Sequence, residues 1–456
     1  MTSPAHTFYL PFMRRPILTS LLASITLGGH ALAQRTTEAL LSPEERIIAR
    51  AADSENARAL ALLQRIVDIN SGTMNFAGVR RVADVLRAEL DSLGFTTKWV
   101  DGASFHRAGH LVAEHAGPGP KLLLIGHLDT VFEPSSPFQR FERLDDSTAR
   151  GPGVIDMKGG DVIIIAALRA LKSAGLLARL NVTVVYDGDE EDAGTPLSEA
   201  RRALIEAARG ATAAIGFEDG PGDPHLAVIS RRGDESWTLR TTGTPAHSSQ
   251  IFQKDVGAGA VYEATRVLSE FYKQLSGERY LTFNPGLALG GTSVRLDSTG
   301  VAGTAEGKSN VVAERMTVVG DLRTISPEQL ARAKQTMRAI VATHLPNTTA
   351  ELTFDAGYPP MAPTTGNRRL LAAYDRVSRD LGLWPVTAVD PSKAGAADVS
   401  FVADIIPMKI DGVGLSGRDD HTTKETADLR MLPVQTKRAA LLLYRLTTKA
   451  PETSDR

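Results

Sequence analysis

"KLLLIGHLDTVFE", residues 121 to 133, runs an aliphatic segment into an imidazole and a carboxylate at its exit. A short continuous apolar run that ends at a glycine reads as a buried strand. His127 and Asp129 stand two apart, so on extended chain they project to one side. A ligating histidine commonly donates its second ring N–H to a carboxylate that fixes its tautomer. His127 as ligand and Asp129 as its orienter fit that pattern, although this dipeptide alone favours a histidine bonded to backbone at a strand end.

Working outward, the same design recurs. Downstream, "DVIIIAALRALKSAG" reads as a helix, "NVTVVYDGDEE" as a strand running into acid, "LSEARRALIEAARG" as a helix and "ATAAIGFEDG" as another strand into acid. Upstream, "EALLSPEERIIARAADSENARALALLQRIVDI" has helical spacing. A second helix from about Phe76 to Leu93 stops at Gly94, and "FTTKWV" and "HLVAEH" read as strands. Alternating strands and helices predict an α/β sheet with helices on both faces. In such sheets function gathers at the carboxyl ends of the strands, and three strands here end in His127, in Glu190 with Glu191, and in Glu218.

The middle of the chain changes character. "SWTLRTTG", "DVGAGAVYEATRVLSEFYKQL", "LTFNPGLALGG", "SNVVAERMTVVGDLRT", "SPEQLARAKQTMRAIVATHL" and "TAELTFDAG" follow the β-α-β-β-α-β order of a ferredoxin-like unit. The expected organisation is therefore a discontinuous catalytic domain, residues 34–231 and 358–456, with an inserted α+β domain at 232–357.

Composition narrows the chemistry. A chain of 456 residues is too long for one ordinary core. The net charge of -2, without a basic stripe interleaved with aromatics, argues against nucleic acid as a partner. Arg14 and Arg15, the apolar "PILTSLLASITLGG" and "ALA" at Ala31 to Ala33 have the parts of a secretory signal peptide, residues 1–33. The run is too short and too interrupted for the roughly 20 apolar residues of a membrane anchor. The expected location is periplasmic or secreted, with no membrane span after signal removal, and "RRPIL" faintly resembles a twin-arginine signal. The chain has no cysteine, so disulfides are excluded and any metal site must use histidine and carboxylate.

Among the ten histidines, His127 and His421 have acidic company in sequence, and His247 lies in "TTGTPAHSSQ". His106, His110, His115, His225 and His344 lack an acidic context that stands out. Asp156 sits in "ARGPGVIDMKGGDV", a turn before a helix where aspartate is a favoured N-cap, yet the flanking glycines allow close approach to a ligand. In "DGDEEDAG" the adjacent carboxylates repel unless a cation lies among them. Neighbouring glutamates permit one to bind metal while the other takes a proton from water.

Taken in order, His127-x-Asp129, Asp156 in "GPGVIDMKGG", Glu190-Glu191, Glu218, "PAHSS", "SNVV…DLR" and His421 in "HTTKE" resemble the zinc-dependent exopeptidase family of carboxypeptidase G, aminoacylase, acetylornithine deacetylase and succinyl-diaminopimelate desuccinylase. The match covers almost all of the mature chain. The resemblance implies two zinc ions, with cobalt or manganese as substitutes, bridged by Asp156 and a water. His127 and Glu218 would hold one ion, and Glu191 and His421 the other. It further implies Asp129 as orienter, Glu190 as general base, and a lid domain through which the chain forms a homodimer. His247 would reach the partner subunit's site to stabilise an oxyanion, and Arg323, with Asn310 nearby, would hold the substrate carboxylate.

The chain departs from the family pattern in three places. "KAGAADVS" puts Ala396 and Ala397 before Asp398, Asp219 follows Glu218, and "GRDDH" adds two carboxylates before His421. The function expected is an exported two-zinc hydrolase cleaving the amide of a C-terminal amino acid or N-acyl amino acid, carboxypeptidase G-like. An aminoacylase or dipeptidase of the same family is the alternative within this mechanism. A non-catalytic periplasmic binding dimer is the alternative outside it, and Glu190 beside an intact ligand set argues against that.

Overall fold

Six strands build the sheet that carries the site. In the computed structural model, which describes residues 40–297 and 300–448, their spatial order is Thr96–Asp101, Gly109–His115, Asn181–Asp187, Lys121–His127, Ala213–Gly216 and Met408–Ile410. The first two pairings are antiparallel and the last three parallel, so the sheet is mixed. The predicted signal segment lies outside the described residues.

The aliphatic runs explain the centre of this sheet. Lys121–His127, Asn181–Asp187 and Ala213–Gly216 are buried along almost their whole length, as strands covered on both faces must be. On one face the helix Lys158–Ser173 is buried nearly all round, packed under Pro43–Val67 and Met431–Thr448. Leu204, Val399 and Val402 belong to a second apolar cluster with Leu123 and Ile125. From Lys121–His127 the chain moves to Asn181–Asp187 on one side and later to Ala213–Gly216 on the other. That reversal opens a crevice at the carboxyl ends, the usual place for a site in such sheets.

A second sheet holds the middle of the chain. Its strands lie in the order Thr282–Gly291, Arg315–Arg323, Glu235–Gly243 and Thr348–Asp355, with every neighbour antiparallel. The helices Ala260–Leu275 and Pro327–Val341 supply Phe271 and Met337 to a separate core around Trp237. Two chain crossings join this unit to the first. Arg231 and Met361 exchange backbone hydrogen bonds at 2.9 Å, and Asp234 N donates to the Tyr358 carbonyl at 2.9 Å.

Three local expectations change. The first helix begins at Pro43 because Ser42 and Glu45 form a reciprocal capping box there. The run "LSEARRALIEAARG" breaks into Leu197–Ala200 and Arg202–Ala208, and the Arg201 side chain at the break is fully buried. Ser309 to Glu314 precede the strand Arg315–Arg323 instead of joining it, while Ser293–Leu296 and Gly303–Glu306 pair as an extra ribbon. Four-residue strands with little burial leave no period to read.

Candidate metal centre

The strand Lys121–His127 delivers His127 to the crevice, in register with Asp187 on its neighbour. The loop after Asn181–Asp187 carries Glu190 and Glu191, and Glu218 follows Ala213–Gly216 by two residues. His421 arrives from 265 residues beyond Asp156. A small sheet closes that distance. Thr426–Asp428 pairs antiparallel with Thr148–Arg150, which leads directly into the turn bearing Asp156.

Asp156 stands between the two histidines. Its Oδ1 lies 3.1 Å from His127 Nε2 and its Oδ2 lies 2.9 Å from His421 Nε2. Each histidine has a further carboxylate: Glu218 Oε1 is 3.4 Å from His127 Nε2, and Glu191 Oε2 is 3.1 Å from His421 Nε2. The result is two His-carboxylate pairs sharing one bridging carboxylate.

Electrostatics mark the residues around Asp156. Burial, and then the nearby Asp156 charge, pushes Glu191 up to about 7. Burial with repulsion from Asp156 and Asp411 drives Glu218 well above the usual carboxylate range. Hydrogen bonds to Asp156 and Glu191 raise His421 to about 11. Burial opposes a charge on His127, yet Glu218, Asp129 and Asp156 together hold it well above its ordinary value. Glu191 and Glu218 thus resist ionisation in a way that added positive charge relieves, while Asp156, though burial opposes its charge, is held well below its ordinary value by hydrogen bonds to His127 and His421.

The donor set fits a pair of divalent cations. It is made of imidazole and carboxylate without thiol, which suits zinc, manganese or cobalt. Ligand atoms of His127, Asp156 and Glu191 lie within 4.8 Å of one another, as do those of Asp156, Asp420 and His421. Glu191 Oε1 is buried without a hydrogen-bond partner, an atom left available to a cation.

Supporting residues fix this geometry. Asp129 lies 3.4 Å from His127 Nδ1 and also accepts the backbone N–H groups of Glu190 and Glu191, both at 3.1 Å, and the Thr73 hydroxyl at 2.7 Å. His127 Nδ1 also lies 3.1 Å from the Asp129 backbone carbonyl, so Asp129 aims the histidine through its carbonyl and carboxylate together, while the carboxylate anchors the glutamate loop. Glu425, within the quoted "HTTKE" but not singled out from it, accepts the N–H groups of Gly153, Ile155 and Asp156 at 2.8 to 3.2 Å. It holds the turn that presents Asp156. Arg201, Asp189 and Asp398 form a buried ion network behind the glutamates, with contacts of 2.6 and 2.7 Å. Arg201 carries no sequence signal beyond an arginine in an otherwise helical pattern.

His110 corrects the sequence reading. It is fully buried, its Nδ1 lies 3.1 Å from Asp187 and accepts the Gly188 N–H, and its ring stacks on Phe105 at 5.0 Å. Its acidic neighbour is 77 positions away in sequence, which is why local context missed it. His225 and His344 likewise have acidic neighbours, Asp223 at 2.6 Å and Glu263 at 3.4 Å, both away from the metal centre.

The remaining candidates, His247, Asn310 and Arg323, are not among the residues that line the cleft over Asp156 and His421. His247 is exposed and bonds to Ser249 in its own turn, while Ser248 N donates to the Asn310 carbonyl. His247 and Asn310 are thus neighbours. Arg323 Nε donates to Asp321 at 2.9 Å and Nη2 stands 3.4 Å from Asp234, with the side chain partly exposed. The cleft over the metal centre, about 270 Å³, is walled on its far side by Val228, Val389 and the turn Ala394 to Ala397. Asp219 and Asp420 line it as well, with Arg231 and Lys393 as its cations.

The model of peptidase family M20/M25/M40 matches residues 123–445 of this chain. Carboxypeptidase G2 of Pseudomonas sp. (strain RS-16) is 26% identical over 444 residues, covering 96% of this chain and 99% of that protein. A tripeptidase structure from Staphylococcus aureus superposes with a TM-score of 0.65 at 18% identity, covering 86% of this chain and 99% of that one. A dinuclear metal-binding peptidase of family M20 from Bacillus subtilis does so with a TM-score of 0.58 at 16% identity, covering 87% and 100%. The two structural likenesses bear on the fold, which is the same α/β architecture.

Proposed function

Because the chain belongs to peptidase family M20/M25/M40 and is a hydrolase of that family, we propose that it is a two-zinc enzyme cleaving the amide of a C-terminal amino acid or N-acyl amino acid. The observation that carries this reading is Asp156 facing His127 and His421 through opposite oxygens, with Glu218 and Glu191 beside them. His127, Asp156 and Glu218 would hold one ion, and Asp156, Glu191 and His421 the other. A bound pair of this kind polarises a scissile carbonyl and makes water a stronger acid.

Glu190 is the general base in this account. Burial and the charges of Asp398 and Glu218 push its carboxyl well up, so it can take a proton from water and keep it long enough to pass it to the leaving nitrogen. The cleft of about 270 Å³ falls below the roughly 300–1,000 Å³ of drug-sized pockets, which favours a short substrate. Similarity to carboxypeptidase G2 along nearly the whole chain favours a carboxypeptidase-like reaction over an aminoacylase or dipeptidase. Export rests on the leader-like residues 1–33, and no helix among the described residues is long and apolar enough to cross a membrane.

The second unit would serve as lid and dimer contact. Exposure of His247, away from the ligands of its own chain, supports a role at the partner's site. The test is hydrolysis of a panel of N-acyl amino acids and dipeptides by zinc-loaded protein, with and without chelator. Chelator-sensitive turnover of a panel member is expected, and no turnover of any member contradicts the proposal.

A further inference from the structure

The phenol of Tyr358 joins two parts of the molecule that the chemistry described so far leaves unconnected. Its backbone belongs to the crossing between the two units, where its carbonyl accepts the Asp234 N–H at 2.9 Å. Its hydroxyl reaches the other way and donates to the carbonyl of Glu190 at 2.9 Å. Arg201 Nη2 donates to the same hydroxyl at 2.7 Å. A guanidinium has no acceptor, so the single phenol hydrogen is directed to Glu190.

The surroundings make this contact stiff. Arg201 lies against Tyr358 and Phe401, at 5.5 and 5.3 Å from their ring centroids, and those rings meet edge to face at 4.8 Å. The same guanidinium binds the Asp189 side chain at 2.6 Å and the Asp189 carbonyl at 3.1 Å, one residue before Glu190. On the neighbouring crossing, Arg231 binds Asp411 at 2.6 Å and the Gly395 carbonyl at 3.0 Å, tying that strand to the cleft wall. Displacement of the second unit therefore acts on the glutamate loop through one side chain.

We infer that Tyr358 is a positioning residue, which transmits the placement of the second unit to Glu190 and sets the general base in line with the substrate. This rests on Glu190 acting as the base. Asp129 holds the N–H side of the Glu190 peptide segment and Tyr358 holds its carbonyl side, so the loop is fixed from both directions only while the crossing is in place. Groups that support an active residue in this way typically change activity about 10- to 100-fold when removed.

The experiment is Tyr358→Phe in the full-length, zinc-loaded protein, which keeps the ring against Phe401 and Arg201. The expected result is kcat lower by about tenfold with KM and metal content unchanged. Hydrogen–deuterium exchange in a peptide covering residues 188–194 should be faster by about fivefold, the worth of one hydrogen bond. Unchanged exchange there overturns the inference whatever happens to activity, and so does a loss confined to KM or to metal content. If the wild-type protein turns over no panel substrate, the proposed reaction fails, while the exchange measurement still decides whether Tyr358 restrains the loop.

Discussion

Asp129 accepts the backbone N–H of Glu190 at 3.1 Å while standing 3.4 Å from the Nδ1 of His127. Orientation of His127 and placement of the Glu190 backbone, the metal ligand and general base of the proposed function, thus depend on one buried residue. Asp129→Asn keeps the volume but turns an amide NH₂ toward N–H groups that need an acceptor. Steady-state kinetics and metal titration of this variant should show turnover or metal affinity reduced about 10- to 100-fold.

Glu190 lies in the cleft and is not among the groups closest to either histidine. Glu190→Gln removes the proposed proton acceptor and leaves the five proposed ligands in place. Turnover should fall about 100- to 10,000-fold with the metal content of the wild type, and elemental analysis beside the rate assay checks both. A variant that stayed active would move the base to another residue.

Glu425 organises the Asp156 turn through three backbone N–H groups. Glu425→Ala leaves these buried donors without partners, at a cost of about 3 kcal/mol or more. Thermal unfolding should show a lower midpoint, and metal binding should weaken because Asp156 is no longer held. An unchanged midpoint would mean that water satisfies the turn equally well.

His110 gives a pH-dependent signature in stability. Burial depresses its pKa from 6.5 to about 4, and the charge of Arg201 acts in the same direction. The neutral imidazole is favoured in the folded state, so its contribution is complete above pH 6.5 and is lost as pH falls toward 4. The loss across that window is about 3 kcal/mol. Urea unfolding of wild type and His110→Gln at several pH values should show a shallower decline for the variant between pH 6.5 and 4.

Much of this architecture was legible because buried parallel strands write themselves as aliphatic runs, and the polar residues at their exits have no reason to be there but the site. "LLLIG" before His127 and "VTVVYD" before the glutamates are of this kind. What joins His421 to Asp156 could not be read, since Thr148–Arg150 and Thr426–Asp428 are three residues long and pair across the whole domain. The supports were equally silent. Glu425, Arg201 and His110 become significant only through partners brought from distant sequence, and a buried charge looks like a surface one until its partner is known. Arg323 meets one partner of each kind, Asp321 two residues away within the same motif and Asp234 far off in sequence.

The central claim is that Asp156 divides one carboxylate between two metal positions. The most direct measurement is the number of zinc ions retained per chain after dialysis, in wild type, His127→Ala and His421→Ala. Two in the wild type and one in each variant is the predicted result. A wild type that never exceeds one, or a single substitution that leaves both ions bound, would contradict it.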